Sequence, residues 1–348
     1  MKLIRFNLAY SILFLICIGV ANALPIDETV KFSTSMHGEA YVQHSFRKEM
    51  DKMPEYVVSH VDLNAPALNL LLGTIAFDAQ SWKGELSLMT GTYSRDNLRG
   101  ENGVLKHINS MWLSYAPSKT IDILSGIYSS HIGLESPIGK DCVQPTRSIV
   151  ADNSPYYQSG IRIRHQSKST TYSLHLLNGW QRSTIDTLGV LPAIGYEYSA
   201  NTEQMNYRIS GFIGKTSHDA SIGMRYYQHF GGTYQLHENF DCSASIDIGM
   251  QKIRETNAWV FAPLIMARWS MNNSFKMNGR LEYYHDPHGM IVNSTGGLSG
   301  FGYSMGIDWS YSNAMLFRAE WRQIHAMLDN QDVNILGIHA QWAIMNEL

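Results

Sequence analysis

From Lys31 onward, apolar and polar residues alternate at period two, the spacing of strands and not of helices. In Phe301 to Ser310 every odd position is large and apolar or aromatic, and every even position is small or polar. Phe275 to Tyr283 repeats the pattern. Cys242 to Gln251 sets Ala244, Ile246, Ile248 and Met250 against Ser243, Ser245, Asp247 and Gly249, and Met315 to Arg322 puts charges on its polar side. Because successive side chains of a strand point to opposite faces, each set shares one face. The spacing predicts strands over 31–46, 67–80, 82–94, 107–116, 121–130, 157–166, 170–178, 192–199, 205–214, 223–236, 240–252, 257–270, 275–285, 298–310, 314–322 and 332–344.

The connections alternate between short and long. Ser167 to Ser169, Ala200 to Glu203, His237 to Asn239, Met271 to Ser274 and Ser312-Asn313 are tight and rich in turn residues. Arg47 to Pro66, Arg95 to Lys106, His131 to Tyr156, Gly179 to Leu191, Asp286 to Gly297 and Gln323 to Gln331 are long. A transmembrane antiparallel up-and-down β-barrel has this rhythm, with turns toward the periplasm and loops outside. Sixteen strands are expected, with fourteen as the alternative. A soluble β-sandwich also alternates, but here aromatics sit near strand ends on the apolar faces: Trp82, Tyr115, Tyr196, Tyr198, Trp259, Trp269, Tyr283, Trp309, Trp321 and Trp342. Rings so placed suit the two interfacial girdles of a membrane barrel. The opposite faces carry charges that a dry core excludes.

The N-terminus adds an export signal. Lys2 and Arg5, the apolar run Leu8 to Val20 and Ala21-Asn22-Ala23 read as a signal peptide over 1–23, leaving 24–348 as one barrel domain. The apolar run is shorter than the roughly 20 residues of a membrane-spanning helix. A formal net charge of -3 gives no basic excess for nucleic acid. Tyr-rich aromatics, at 11% of residues with 19 Tyr, fit strands. The sequence contains no CxxC and no HExxH, so neither metal nor cofactor is expected. The cluster His285-Asp286-Pro287-His288 reads as a loop tip.

The stretches Gly126 to Asp141 and Thr146 to Gly160 resemble the hallmark segment of the OmpL-like porin-2 group of outer-membrane β-barrel porins, common in Bacteroidetes-type bacteria. Leu68-Asn69-Leu70 with Gly73 to Gln80, Leu177 to Gln181, and Gly279 to Tyr284 extend the resemblance over nearly all of the mature chain. Cys142 departs from the pattern. The resemblance implies a barrel in the outer membrane of a Gram-negative bacterium, with lipid and small hydrophilic solutes as partners.

The 131–156 loop is expected to fold inward, with Glu135, Lys140, Asp141, Arg147 and Asp152 presenting both signs of charge to a passing solute. The alternation assigns Arg162, Arg164, Arg208, Arg280, Glu282, Arg318, Glu320 and Arg322 to the lumen wall. Opposed wall charges limit any ion selectivity to a slight anion preference. Cys142 and Cys242 are expected as free thiols, since a bridge needs the loop to descend most of the barrel height. Strand histidines such as His229 lack a nucleophile-elbow signature, so no enzyme activity is expected. The function expected is passive diffusion through a loop-constricted lumen; the alternative is a surface adhesin or structural barrel with a plugged lumen. The sequence leaves open whether copies associate.

Overall fold

A computed structural model describes residues 30–347 apart from 48–49, 102, 185–191, 218, 293–295 and 329–331. The signal segment expected at 1–23 lies outside the described residues. Among these residues the strands are β1 (Lys31–Ser45), β2 (Ala67–Ala79), β3 (Trp82–Thr90), β4 (Ile108–Ser118), β5 (Ile121–Ser129), β6 (Tyr157–Gln166), β7 (Thr170–Leu177) and β8 (Ala193–Asn201). They continue as β9 (Met205–Gly214), β10 (Ile222–His237), β11 (Phe240–Ile253), β12 (Thr256–Ser270), β13 (Phe275–Asp286), β14 (Leu298–Ser312), β15 (Met315–Ala326) and β16 (Val333–Glu347). Each pairs antiparallel with the next, and β16 closes on β1 with Tyr41 opposite His339. Closure leaves no open edge, as a sheet in hydrocarbon requires.

The two faces invert the usual relation between polarity and burial. On β14, Met305, Ile307 and Trp309 point outward and are exposed, while Ser304 and Asp308, which alternate with them, are buried. Leu174, Ile163 and Leu281 continue the apolar exterior. An apolar exterior around a polar interior is the arrangement of a transmembrane barrel. Rings gather at both rims. At the short-turn end, Tyr172 lies 4.9 Å from Tyr198 and Trp309 lies 5.4 Å from Phe317; at the long-loop end, Trp259 lies 4.7 Å from His285 and Tyr303 5.5 Å from Trp321.

The strand predicted over 82–94 stops at Thr90, and Thr92–Asn97 forms a short helix instead. The helix buries Thr92, Tyr93, Ser94 and Asp96, so tertiary packing overrides the period-two pattern there. Gly126 and Gly160 face each other across β5 and β6 with φ of 139° and 147°. A Cβ at either would come within 2.1 Å of a neighbouring strand's carbonyl oxygen. This glycine pair sits on the two strands that carry the 131–156 loop.

Candidate functional site: the loop-filled lumen

The loop between β5 and β6 enters at the long-loop end and descends inside the barrel. Arg208 Nη1 donates to the Gly133 carbonyl at 3.0 Å, Arg318 Nη1 to Gly139 at 3.0 Å, and Arg268 Nη2 to Cys142 at 2.6 Å. At its lowest point Lys140 Nζ donates to the carbonyl of Asn313, in the tight β14–β15 turn, at 3.0 Å. On the way back the wall supplies acceptors. Glu320 takes the Thr146 amide at 3.0 Å and its hydroxyl at 2.8 Å; Glu282 takes the Ile149 amide at 2.5 Å. Irregular backbone inside a fold needs such partners, and the wall charges supply them.

An apolar contact fixes the same path. Ala258, Val260, Ala262, Leu264 and Met266 make the lumen face of β12 apolar, and they belong to one buried cluster with Ile132, Ile149 and Val150 of the loop, against which Leu134 and Val143 pack. The sequence carries this signal, because β12 is apolar on both faces while its neighbours alternate with charge. Gly306 makes room opposite: a Cβ there would lie 2.8 Å from Gln144 Oε1.

The wall arginines divide into two sets. Arg280 contacts Glu320 at 3.2 Å and Glu282 at 3.3 Å, Arg322 reaches Glu282 at 2.9 Å, and Arg318 reaches Asp308 at 2.7 Å. These three arginine side chains have no solvent exposure. Across the lumen, Arg162 and Arg164 share Asp122 at 3.3 and 2.5 Å, and Arg208 pairs with Glu197 at 3.0 Å. Here the side chains of Arg164 and Arg208 keep 35% and 37% of their exposure. Arg162 also lies over the Tyr128 ring, 5.4 Å from its centroid.

The loop's own charges divide likewise. Arg147 is fully buried and donates to the Pro137 carbonyl at 2.5 Å. Asp152 is buried where Ser59 Oγ and Tyr156 OH donate to it at 2.7 and 3.1 Å, and burial pushes its carboxyl up to about 6. Glu135 accepts the Ser148 amide at 3.1 Å at the start of the short helix Ile149–Asp152. Lys140 is half-buried and Asp141 is exposed. Burial holds His131 neutral, pushing it down to about 4; its ring stacks 4.2 Å from that of His175.

The long connection expected from Arg47 to Pro66 also turns inward over residues 50–66, a course the sequence did not announce. Tyr56, Val57, Val61 and Leu63 are buried, an isolated bridge joins Lys52 to Asp62, and Asn153 Nδ2 donates to the Tyr56 carbonyl at 2.9 Å. The apolar spacing of Val57, Val61 and Leu63 was its only trace.

The sequence model of the family described as "Putative beta-barrel porin-2, OmpL-like" matches residues 31–341. The chain belongs to this family of outer-membrane porins. It is a protein of the Gram-negative outer membrane. The porin barrel is similar to the outer membrane channel DcaP of Acinetobacter baumannii, with a TM-score of 0.63 at 10% identity over 90% of this chain and 97% of that one. It is similar to OmpF of Salmonella typhi in complex with daunomycin, with a TM-score of 0.62 at 9% identity over 91% and 98%. An anion-selective porin from Comamonas acidovorans gives 0.57 at 9% identity over 91% and 100%. At these identities the likeness is one of fold. A search of curated proteins finds no match.

Three other groupings of the porin that the sequence brought forward have the following geometry. His229 Nδ1 lies 2.9 Å from Asp247, with Ser210 opposite His229 on β9, but neither Ser210 Oγ nor His229 Nε2 has a hydrogen-bond partner and all three residues are buried. A hydrolytic triad needs that serine–histidine bond and access for substrate. In the 285–288 cluster, Asp286 accepts the amides of Met290, Ile291 and Val292 at 2.6, 2.8 and 3.0 Å while His285 bonds Ser299 Oγ at 2.7 Å, so the side chains do not converge. Cys142 and Cys242 are free. The loop does descend the lumen, so height is not what separates them; Cys142 is buried inside, and Cys242 shares the outer face of β11 with Ala244 and Ile246.

Proposed function

We propose that small hydrophilic solutes diffuse passively through the part of the lumen bounded by β3 to β9, with the 131–156 loop narrowing it from the β12–β16 side. The observation that carries this reading is the asymmetry of the wall arginines: Arg280, Arg318 and Arg322 are sealed against the loop, whereas Arg164 remains solvated away from it and Arg208, which holds only the start of the loop at Gly133, keeps 37% of its exposure. Solvated charge in a low-dielectric tube sets ion preference by field. On this side Arg162 and Arg164 share the single carboxylate Asp122, which favours a slight anion preference. Of the loop residues, Asp141 is the exposed one and faces the solute; Lys140, bonded to the Asn313 carbonyl, joins Glu135, Arg147 and Asp152 in holding the loop in shape. Single-channel recording in planar bilayers tests this, with steps and a reversal potential on the anion side expected. Cation preference would overturn the charge assignment.

A second reading, a surface barrel with a plugged lumen, draws support from the complete burial of Arg147 and Gln144. Folded protein that inserts and gives no conductance steps would select it. Association of copies belongs to the same proposal, since OmpT of Vibrio cholerae, similar in fold at 8% identity with a TM-score of 0.57, occurs in a trimer form.

A further inference from the structure

The 46–66 loop meets the wall at a cluster that the pore does not use. Glu39 on β1, His60 in the loop and His339 on β16 each bring one donor atom within 4.8 Å of the other two. Nε2 of His60 lies 2.9 Å from Oε1 of Glu39, and Nδ1 of His339 lies 4.0 Å from the same oxygen. All three residues are almost wholly buried, at 3%, 1% and 0% exposure. Yet neither ring nitrogen of His339 has a hydrogen-bond partner, nor has Nδ1 of His60. Buried polar groups are nearly always paired, so lone pairs left beside a buried carboxylate need an explanation.

The surroundings orient this trio as a unit. Asn69 Nδ2 donates to Oε2 of Glu39 at 2.9 Å, and its carbonyl oxygen accepts the His60 amide at 3.0 Å, so one residue positions two members. Gln341 Nε2 donates to Oε1 of Glu39 at 2.5 Å. His60 holds φ of 54°, a left-handed conformation that a non-glycine residue keeps where the surroundings demand it. Gln43, whose buried amide is also unpartnered, flanks the far side of His339: a Cβ at Gly337 would meet His339 Nε2 at 2.7 Å and Gln43 Cγ at 3.1 Å. The outer nitrogen of a metal-bound histidine commonly donates to such a carbonyl.

We propose that Glu39, His60 and His339 bind one zinc-class divalent transition-metal ion, which fastens the 46–66 loop to the barrel wall. Two imidazole nitrogens and one carboxylate oxygen suit zinc, whereas calcium and magnesium take oxygen shells. The ion takes the place of the hydrogen bond between His60 and Glu39. With zinc–ligand distances of about 2.0–2.2 Å the donors settle roughly 3.3 Å apart, so His60 and Glu39, now at 2.9 Å, open slightly while His339 closes on Glu39 from 4.0 Å. The ligands come from both sides of the barrel seam between β1 and β16 and from a loop, so the ion ties together parts far apart in sequence.

Burial means that the ion enters as the barrel forms, so the test loads it then. The full chain is refolded from denaturant into detergent with zinc chloride, the folded fraction is separated by its heat-modifiable gel mobility, free zinc is removed by exchange, and bound zinc is measured by mass spectrometry. One zinc per folded chain is expected, falling at least tenfold in His60→Gln and His339→Gln. Wild-type protein holding no more zinc than His60→Gln overturns the proposal. His60 lies outside the sheet, so its variant decides if His339→Gln fails to fold. Refolding with cobalt gives a second readout: absence of the visible absorption of a four-coordinate site in the wild type overturns the proposal whatever the variants do. Neither readout depends on whether the barrel conducts.

Discussion

The ammonium of Lys140 lies 3.0 Å from the carbonyl oxygen of Asn313, although Lys140 belongs to a loop that leaves one rim of the barrel and Asn313 to a tight turn at the other. The loop therefore spans the height of the lumen. Its descent is held by wall side chains that bond its backbone, and by an apolar seam along β12.

Glu320→Ala is expected to loosen the loop. It removes the acceptor of the Thr146 amide and hydroxyl and leaves Arg280 short of a buried partner. Breaking one side of a buried ion pair costs about 3–5 kcal/mol. The denaturant midpoint should fall and the single-channel conductance should rise; unchanged conductance would remove the loop as the constriction.

Replacing both Arg162 and Arg164 by Glu should turn the solvated wall acidic around Asp122 and move the reversal potential toward cations. Arg322→Gln, on the sealed side, should lower stability and leave ion preference where it was. An equal shift in ion preference for both variants would show that the two walls are not functionally distinct.

Acid should strengthen the junction between the two inward loops. The Asp152 carboxyl sits at about 6 in the folded protein against an ordinary 3.8, so between roughly pH 4 and 6 the folded state binds more protons than the unfolded one. The contribution is greatest below that window and is lost as pH rises through it, by about 3 kcal/mol. Unfolding midpoints compared at pH 4 and pH 7 should show this slope in the wild type and a shallower one in Asp152→Asn.

The two thiols should differ in reach. Burial pushes the Cys142 thiol up and closes it to reagents, while Cys242 lies on the outer face and is half-exposed. A lipid-soluble maleimide should modify Cys242 in the folded barrel and Cys142 only after unfolding. Prior reduction should leave the mass of the unlabelled chain unchanged, and a gain of two hydrogens would contradict free thiols.

Much of the barrel was legible residue by residue. The strand predicted over 275–285 runs Phe275–Asp286, and that over 205–214 runs Met205–Gly214. The run 82–94 failed because Tyr93 leaves the alternation to bury its ring, 5.2 Å from that of Tyr156 in the descending loop. That contact is distant in sequence, so no local pattern announces it. The apolar lumen face of β12 was visible as a break in the alternation, but its partner was not.

By itself the sequence determined strand positions, their two faces and the turn rhythm, since period two and turn chemistry are local properties of the chain. It could not separate Arg318 from Arg164. Both alternate with apolar neighbours and both point inward; only the tertiary structure, by laying the backbone of Gly139 and Val143 against one and leaving water beside the other, made the first a structural anchor and the second a solvated wall charge. Closure of the barrel brings together residues far apart along the chain, and the burial of a charge depends on that distant neighbour and not on its own strand.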